Sequence, residues 1–192
     1  MRFEVERRPM SAARQLEHDW FPRPLPESVV AGDRSWIYSS FAFLHCRANR
    51  PEAVRIGRDT GIYHGTFFEL GPDADVAIGN YCALVGAIIC TNGEVRIGDY
   101  TFVAHEVVFA DGPWAVPPRE IDPIRLGTPA IATNEPGIEL GENCWVGMGA
   151  VLLAGTKLAE GCVVGAGAIV NFAAPPYSII AGNPARVVGT SR

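Results

Sequence analysis

Four histidines, at 18, 45, 64 and 105, are the side chains in this chain whose ordinary pKa suits proton transfer near neutrality. Two of them share a setting. His64 follows Ile62-Tyr63 and His105 follows Val103-Ala104, so each stands two places after a β-branched apolar residue. Glu106 adjoins His105, and Asp111 and Trp114 come soon after. That grouping fits a general base, a carboxylate that orients it or binds a substrate, and an aromatic ring that covers a substrate or plugs a gap between loop and coil. His18 and His45 lie in irregular stretches and are weaker candidates. Other chemistries find less footing. The five cysteines are odd in number and contain no C-x-x-C pair, which reads as free thiols in a reducing compartment. The glycines do not form a phosphate loop between a strand and a helix. No pair of histidines lies close enough in sequence for a three-histidine zinc site, so no metal is expected.

The elements that must position these residues follow a six-residue beat. Ala31, Ile37 and Phe43 align with Ile56, Ile62 and Phe68, and the beat returns at Ile78, Leu84 and Cys90. It continues through Ile97, Val103 and Phe109, then Leu140, Val146 and Leu152, then Leu158, Val164 and Val170. A helix repeats its apolar residues every three or four positions and a strand every two, so neither fits. A repeat of this kind predicts a triangular coil of three short parallel faces, each turn stacking on the last. Gly32, Gly57, Gly79, Gly98 and Gly141 follow the first apolar residue of a coil, where a corner calls for unusual φ. Ser35, Thr60, Cys82, Thr101, Cys144 and Cys162 fall four places after the first apolar residue, where only a small side chain fits the interior. Ser39, His64, Gly86, His105, Met148 and Ala166 share one outward register. Coils lie about 4.8 Å apart, which sets His64 and His105 on the order of 10 Å apart.

The coil is expected over residues 29–172, between an arm at 1–28, with a short helix over 10–19, and a C-terminal segment at 173–192. Residues 44–55 read as an excursion between the first two coils. Residues 111–137, with six prolines, interrupt the beat and predict a projecting loop that walls a site.

The repeat resembles the hexapeptide-repeat acyltransferases, over roughly residues 29–188. The resemblance is strongest in Leu140-Gly-Glu-Asn-Cys-Trp-Val-Gly-Met-Gly-Ala-Val151 and in Pro175-Pro-Tyr-Ser-Ile-Ile-Ala-Gly-Asn-Pro-Ala-Arg186. The second stretch looks like the ending of acetyl-CoA-dependent sugar and xenobiotic O-acetyltransferases. The resemblance implies an all-β, left-handed parallel β-helix of about six coils with a projecting loop and short terminal extensions. It implies transfer of an acetyl or other acyl group from coenzyme A to a hydroxyl or amine of a small acceptor such as a sugar. Val103-Ala-His105-Glu106 resembles the catalytic stretch of the lipid A and bacillosamine-type branches, and Ile56-Gly-Arg-Asp-Thr-Gly-Ile62-Tyr-His64 that of the serine acetyltransferases. Both histidines therefore stand as candidate bases. In the galactoside and xenobiotic branches the histidine lies in the loop after the coil, which here contains none.

Glu106 and Asp111 are candidates to orient the His105 imidazole or bind the acceptor, with Asp111, from the loop, the preferred partner, and Trp114 is a candidate to cover a sugar face or a pantetheine arm. Gly147, Gly149, Gly165, Ala166, Gly167 and Ala168 would leave bare backbone for the pantetheine arm, and a backbone amide near Gly147 or in the loop would hold the oxyanion. Arg186 would contact coenzyme A phosphate, with Lys157 a second candidate. The resembling enzymes build active sites between neighbouring β-helices, which implies a homotrimer. A non-catalytic scaffold is the alternative, and a γ-carbonic-anhydrase-like protein a weaker one.

Composition sets outer bounds. The chain has 192 residues, 48% of them hydrophobic, with 21 glycines and 15 prolines: a chain that turns often around a core. A formal charge of −5 argues against nucleic-acid binding. No apolar run reaches the ~18 residues of a membrane span. The first eight residues lack an apolar stretch, so the expectation is a cytoplasmic protein without a signal peptide.

Overall fold

The computed structural model describes residues 14–111 and 137–192, which form a left-handed parallel β-helix. Three sheets make its three faces. The first contains Val29–Ala31, Val54–Ile56, Asp75–Ile78, Glu94–Ile97, Ile138–Leu140, Lys157–Leu158 and Ala173–Ala174. The second contains Trp36–Ile37, Gly61–Ile62, Ala83–Leu84, Phe102–Val103, Trp145–Val146, Val163–Val164 and Ser178–Gly182. The third contains His45–Cys46, Phe67–Leu70, Ile88–Thr91, Val108–Ala110, Val151–Leu153 and Ile169–Val170. Chain order runs through one strand of each sheet in turn, giving six full coils and two faces of a seventh. Ala185–Thr190 folds back antiparallel on Ser178–Gly182 and closes that end of the second sheet.

The core is three stacks of inward side chains. On the second face Ile37, Ile62, Leu84, Val103, Val146, Val164 and Ile180 lie in register, nearly all without solvent contact. Each such burial contributes about 1.5–3 kcal/mol over exposure, which makes the stack the main stabilising feature. On the third face the inward column is Phe68, Ile89, Phe109, Leu152 and Val170. The inward residue of the third coil is thus Ile89, one place before the expected Cys90. Phe43 stacks on Phe68 with rings 4.6 Å apart.

Two local readings are corrected by backbone geometry. None of Gly32, Gly57, Gly79, Gly98 and Gly141 has a left-handed φ. Their constraint is proximity: a Cβ on Gly57 would stand 2.5 Å from the Gly79 carbonyl of the next coil. The left-handed corner positions hold Arg34, Asp59, Tyr81, Tyr100 and Asn143 instead. The small interior column also has a polar role. Thr60 Oγ1 donates to the Gly79 carbonyl (2.7 Å), Cys82 Sγ to Gly98 (3.1 Å), and Cys144 Sγ to Ala159 (3.3 Å). Each small side chain thus ties its coil to the next. Burial pushes the Cys82 thiol up to about 12 and Cys144 to about 11, so both stay protonated donors.

The arm docks on the first coil; of the helix expected over 10–19, residues 14–19 make only a turn, and 10–13 lie outside the described residues. Asp19 is the anchor. It accepts from Ser39 Oγ (2.7 Å), from the Ser40 amide (2.7 Å) and hydroxyl (2.5 Å), and from the Phe21 amide (3.0 Å). Burial would raise the Asp19 carboxyl, but these hydrogen bonds outweigh it and hold the group at about 2. His18 stacks on Trp36 at 4.1 Å, and its Nε2 donates to the Ile37 carbonyl (2.9 Å). Ser39 also caps a 3-10 turn over Ser40–Phe43 by accepting from the Phe41 amide. That turn feeds His45–Cys46 into the third sheet, so the excursion expected at 44–55 begins only after Cys46.

Candidate active site

The candidate residues collect at the corner between the second and third sheets. In the second coil four residues, Tyr63 to Thr66, separate the two strands; in the fourth, Ala104 to Val107; in the fifth, Gly147 to Ala150. The third coil has three, Val85 to Ala87. Register is kept on both sides of this shortened corner, with Ile62 opposite Leu84 opposite Val103, and Phe67 opposite Ile88 opposite Val108. The third coil therefore omits the position that His64 and His105 occupy. Gly86, at φ +66°, takes the left-handed place filled by Gly65, Glu106, Gly149 and Gly167 in other coils. The omission leaves a notch with a histidine on either side.

Both histidines are exposed there, and both line one open cleft with Tyr38, Tyr63, Val85, Ile88 and Glu106. His64 meets the Tyr38 ring edge-on at 4.9 Å. His105 lies over Gly86, and its carbonyl accepts from the Gly149 amide (3.0 Å), which fixes the backbone beneath the ring. Glu106 has φ +59° at a corner position that is glycine in the second, third, fifth and sixth coils. A left-handed conformation costs such a residue about 1–2 kcal/mol.

Other candidates fall elsewhere. Asp111 sits at the far end of its strand, where its carboxylate accepts from the Thr91 hydroxyl and the Gly93 amide (3.1 Å). Asp111 does not line the histidine cleft. Trp114, with residues 112–136 of the expected loop, lies outside the described residues.

Among the residues expected to leave bare backbone, Gly149 and Gly167 face open space, since a Cβ on either would meet nothing within 4 Å. Ala166 is exposed beside them. Gly147 serves packing: a Cβ there would stand 2.7 Å from the Ala166 amide nitrogen. Ala168 points into the core and is fully buried, so it offers no side chain to a ligand. The amides of Gly147, Gly149, Gly165 and Gly167 donate to Val164, His105, Ile180 and Met148 carbonyls. These four amides, that of Gly147 included, are thus paired with carbonyls of a neighbouring coil. Arg186 is exposed on the closing hairpin opposite Ala181, whose Cβ lies 3.4 Å from a Cβ built on Gly165. Among the described residues no group of three His, Cys, Asp or Glu is placed to hold a metal.

Sequence reasoning missed Tyr38, Tyr63 and the notch itself. The notch left a trace, because Leu84 and Ile89 are five residues apart where the beat requires six.

Residues 137–171 match the family model described as bacterial transferase hexapeptide, six repeats. The hexapeptide-repeat resemblance holds. Solved structures share the fold. A maltose O-acetyltransferase from Clostridium difficile 630 superposes with a TM-score of 0.53 and 20% identity, over 70% of this chain and 68% of that one. The polySia-specific acetyltransferase NeuO gives 0.55 and 21%, over 84% of this chain and 65% of its own. A mutant of AntD, an N-acyltransferase from Bacillus cereus in complex with dTDP and coenzyme A, gives 0.51 and 15%, over 85% and 82%.

Proposed function

We propose that this protein is an acyltransferase that moves an acetyl group from coenzyme A to a hydroxyl or amine of a small-molecule acceptor. The observation that carries the reading is the notch at Gly86. It opens one cleft to two exposed histidines, beside late coils whose corners at Gly149, Ala166 and Gly167 are bare. The solved structures of the same fold include O-acetyl- and N-acyltransferases, one of them with coenzyme A bound.

In the proposed reaction His105 takes the acceptor's proton as its oxygen or nitrogen attacks the thioester carbonyl. The tetrahedral intermediate collapses with cleavage of the carbon–sulfur bond. The thiolate of coenzyme A leaves with the proton held on the His105 imidazolium, and the acetyl group stays on the acceptor. His64, across the notch, contacts the acceptor. Arg186 contacts the phosphates of coenzyme A at the end of the bare corners.

Assembly belongs to the same proposal. No outward position on the seven parallel strands of the second sheet, from Trp36 to Ala181, is charged, and Trp36, Phe102 and Trp145 stand exposed on it. The first sheet turns Arg55, Arg96, Glu139 and Lys157 outward. An uncharged apolar face suits contact between copies, and a closed homotrimer would set each cleft beside a partner's late coils. Light scattering tests it: a mass near 20.6 kDa at micromolar concentration would refute the trimer.

Activity is tested by following free thiol released from acetyl-CoA against a panel of sugars and amines. Acceptor-dependent release is the expected result. Failure of coenzyme A to bind at micromolar concentration, with no release for any acceptor, would overturn the reading.

A further inference from the structure

A second concavity, of about 250 Å³, opens beside the histidine cleft and shares Tyr38, Tyr63, His64 and Gly65 with it. Its outer wall is Trp20, brought there by the docked arm, with Phe41 and Phe67 from the first two coils. Trp20 and Phe41 stand 5.5 Å apart, and Phe41 and Phe67 5.9 Å. Packing does not account for these rings, because Trp20 is 65% exposed and Tyr38, Phe41 and Tyr63 about 40% each. Aromatic rings left exposed around one hollow suit a ligand that brings its own flat apolar face.

The hollow is also selective by charge. Among the described residues no Asp, Glu, Lys or Arg lines it, and the adjoining cleft adds only Glu106. Its two aliphatic hydroxyls are already engaged, Ser39 donating to Asp19 and Thr66 to the Leu84 carbonyl, which leaves the wall to aromatic rings and the phenols of Tyr38 and Tyr63. A phosphate or carboxylate would find no Lys or Arg among the lining residues and would approach Glu106, whereas burying an unpaired charge is strongly unfavourable. Size points the same way. An apolar cavity of about 150 Å³ holds a benzene ring, so this one takes one or two rings rather than a nucleotide-linked sugar.

We propose that this aromatic hollow is the acceptor subsite and that it selects an uncharged molecule with a flat apolar ring face, such as an aryl glycoside. The ring sits between Trp20 and Tyr63, and its hydroxyl or amine reaches across His64 into the notch. Only that last step rests on the acyl-transfer reading.

Binding tests it without turnover. Calorimetric titration of the intact protein would use phenyl β-D-glucoside, glucose 6-phosphate and UDP-glucose as probes. The expected order places phenyl β-D-glucoside tightest, with Trp20→Ala and Tyr63→Ala each weakening it about tenfold and Trp20→Phe retaining most of the affinity. Trp20 lies on the surface of the arm, so its loss leaves the β-helix core intact; a thermal melt of each variant checks this. Tighter binding of either phosphorylated probe overturns the proposal. So does a Trp20→Ala variant within about twofold of the parent, or no binding of the neutral probe up to about 10 mM. Thiol release on the same proteins separates the two readings. Trp20-dependent binding with no acyl transfer to any acceptor sinks the enzyme and keeps the subsite. Transfer that ignores Trp20→Ala sinks the subsite and keeps the enzyme.

Discussion

His105 rests against Gly86. Its Cδ2 lies 3.3 Å from where a Cβ on Gly86 would stand, and Gly86 holds φ +66°. Gly86→Ala would therefore act twice, through backbone strain of about 1–2 kcal/mol and through displacement of the imidazole. Chemical denaturation should show the stability loss. Turnover should fall about two- to fivefold at temperatures where the variant is folded, because relieving this contact shifts the imidazole only slightly, whereas a misplacement of about 1 Å can cost ~10²-fold. Full kcat in folded Gly86→Ala would show that His105 does not depend on this contact.

The two histidines should separate kinetically. His105→Ala is expected to lower kcat by ~10²–10⁴ while coenzyme A affinity stays within a few fold. His64→Ala should act mainly on acceptor KM, as for a contact made equally in ground and transition states. Both side chains point outward, so both variants should fold. The reverse pattern would make His64 the base.

Attachment of the arm should fail in acid. Asp19 has a folded pKa of about 2 against an ordinary 3.8, so its contribution is fully present above the ordinary value and is lost as pH falls through about 2. Cleavage beside Leu16, Trp20 or Phe21 by pepsin after pH jumps would report it. Asp19→Asn should free the arm at neutral pH and weaken binding in the aromatic hollow through Trp20. A protected arm in Asp19→Asn would count against Asp19 as the anchor.

Thiol chemistry should distinguish the cysteines. Cys82, Cys90, Cys144 and Cys162 are buried, and burial raises every one of their pKa values. Cys46 is part-exposed. An aromatic disulfide reagent at mildly alkaline pH should modify Cys46 first and reach the other four only on unfolding. Rapid modification of all five in the native state would contradict the hydrogen-bonded ladder of small side chains.

Much of the coil was legible because a β-helix repeats one local rule. An inward residue every six positions is a statement about neighbours in sequence, and stacking turns it directly into neighbours in space. The rule misled where it slipped by one residue. Cys90 was placed inward, but the three-residue corner at Val85–Ala87 puts Ile89 there. Glycines after the first apolar residue read as flexible corners, whereas they are clearances between stacked backbones. Ala168 read as a cofactor contact and Asp111 as a partner for His105; the structure turns the first into the core and ties the second to Thr91 and Gly93.

The sequence by itself determined the triangular coil, the three inward stacks and the outward register of His64 and His105, since each depends on periodicity alone. Only the tertiary structure decided that those two histidines flank a notch and that Trp20 reaches the aromatic hollow beside His64. The first requires knowing which strands stay in register across a missing residue. The second depends on Asp19 finding Ser39 and Ser40 twenty residues away, and no repeat encodes a contact between an irregular arm and a coil.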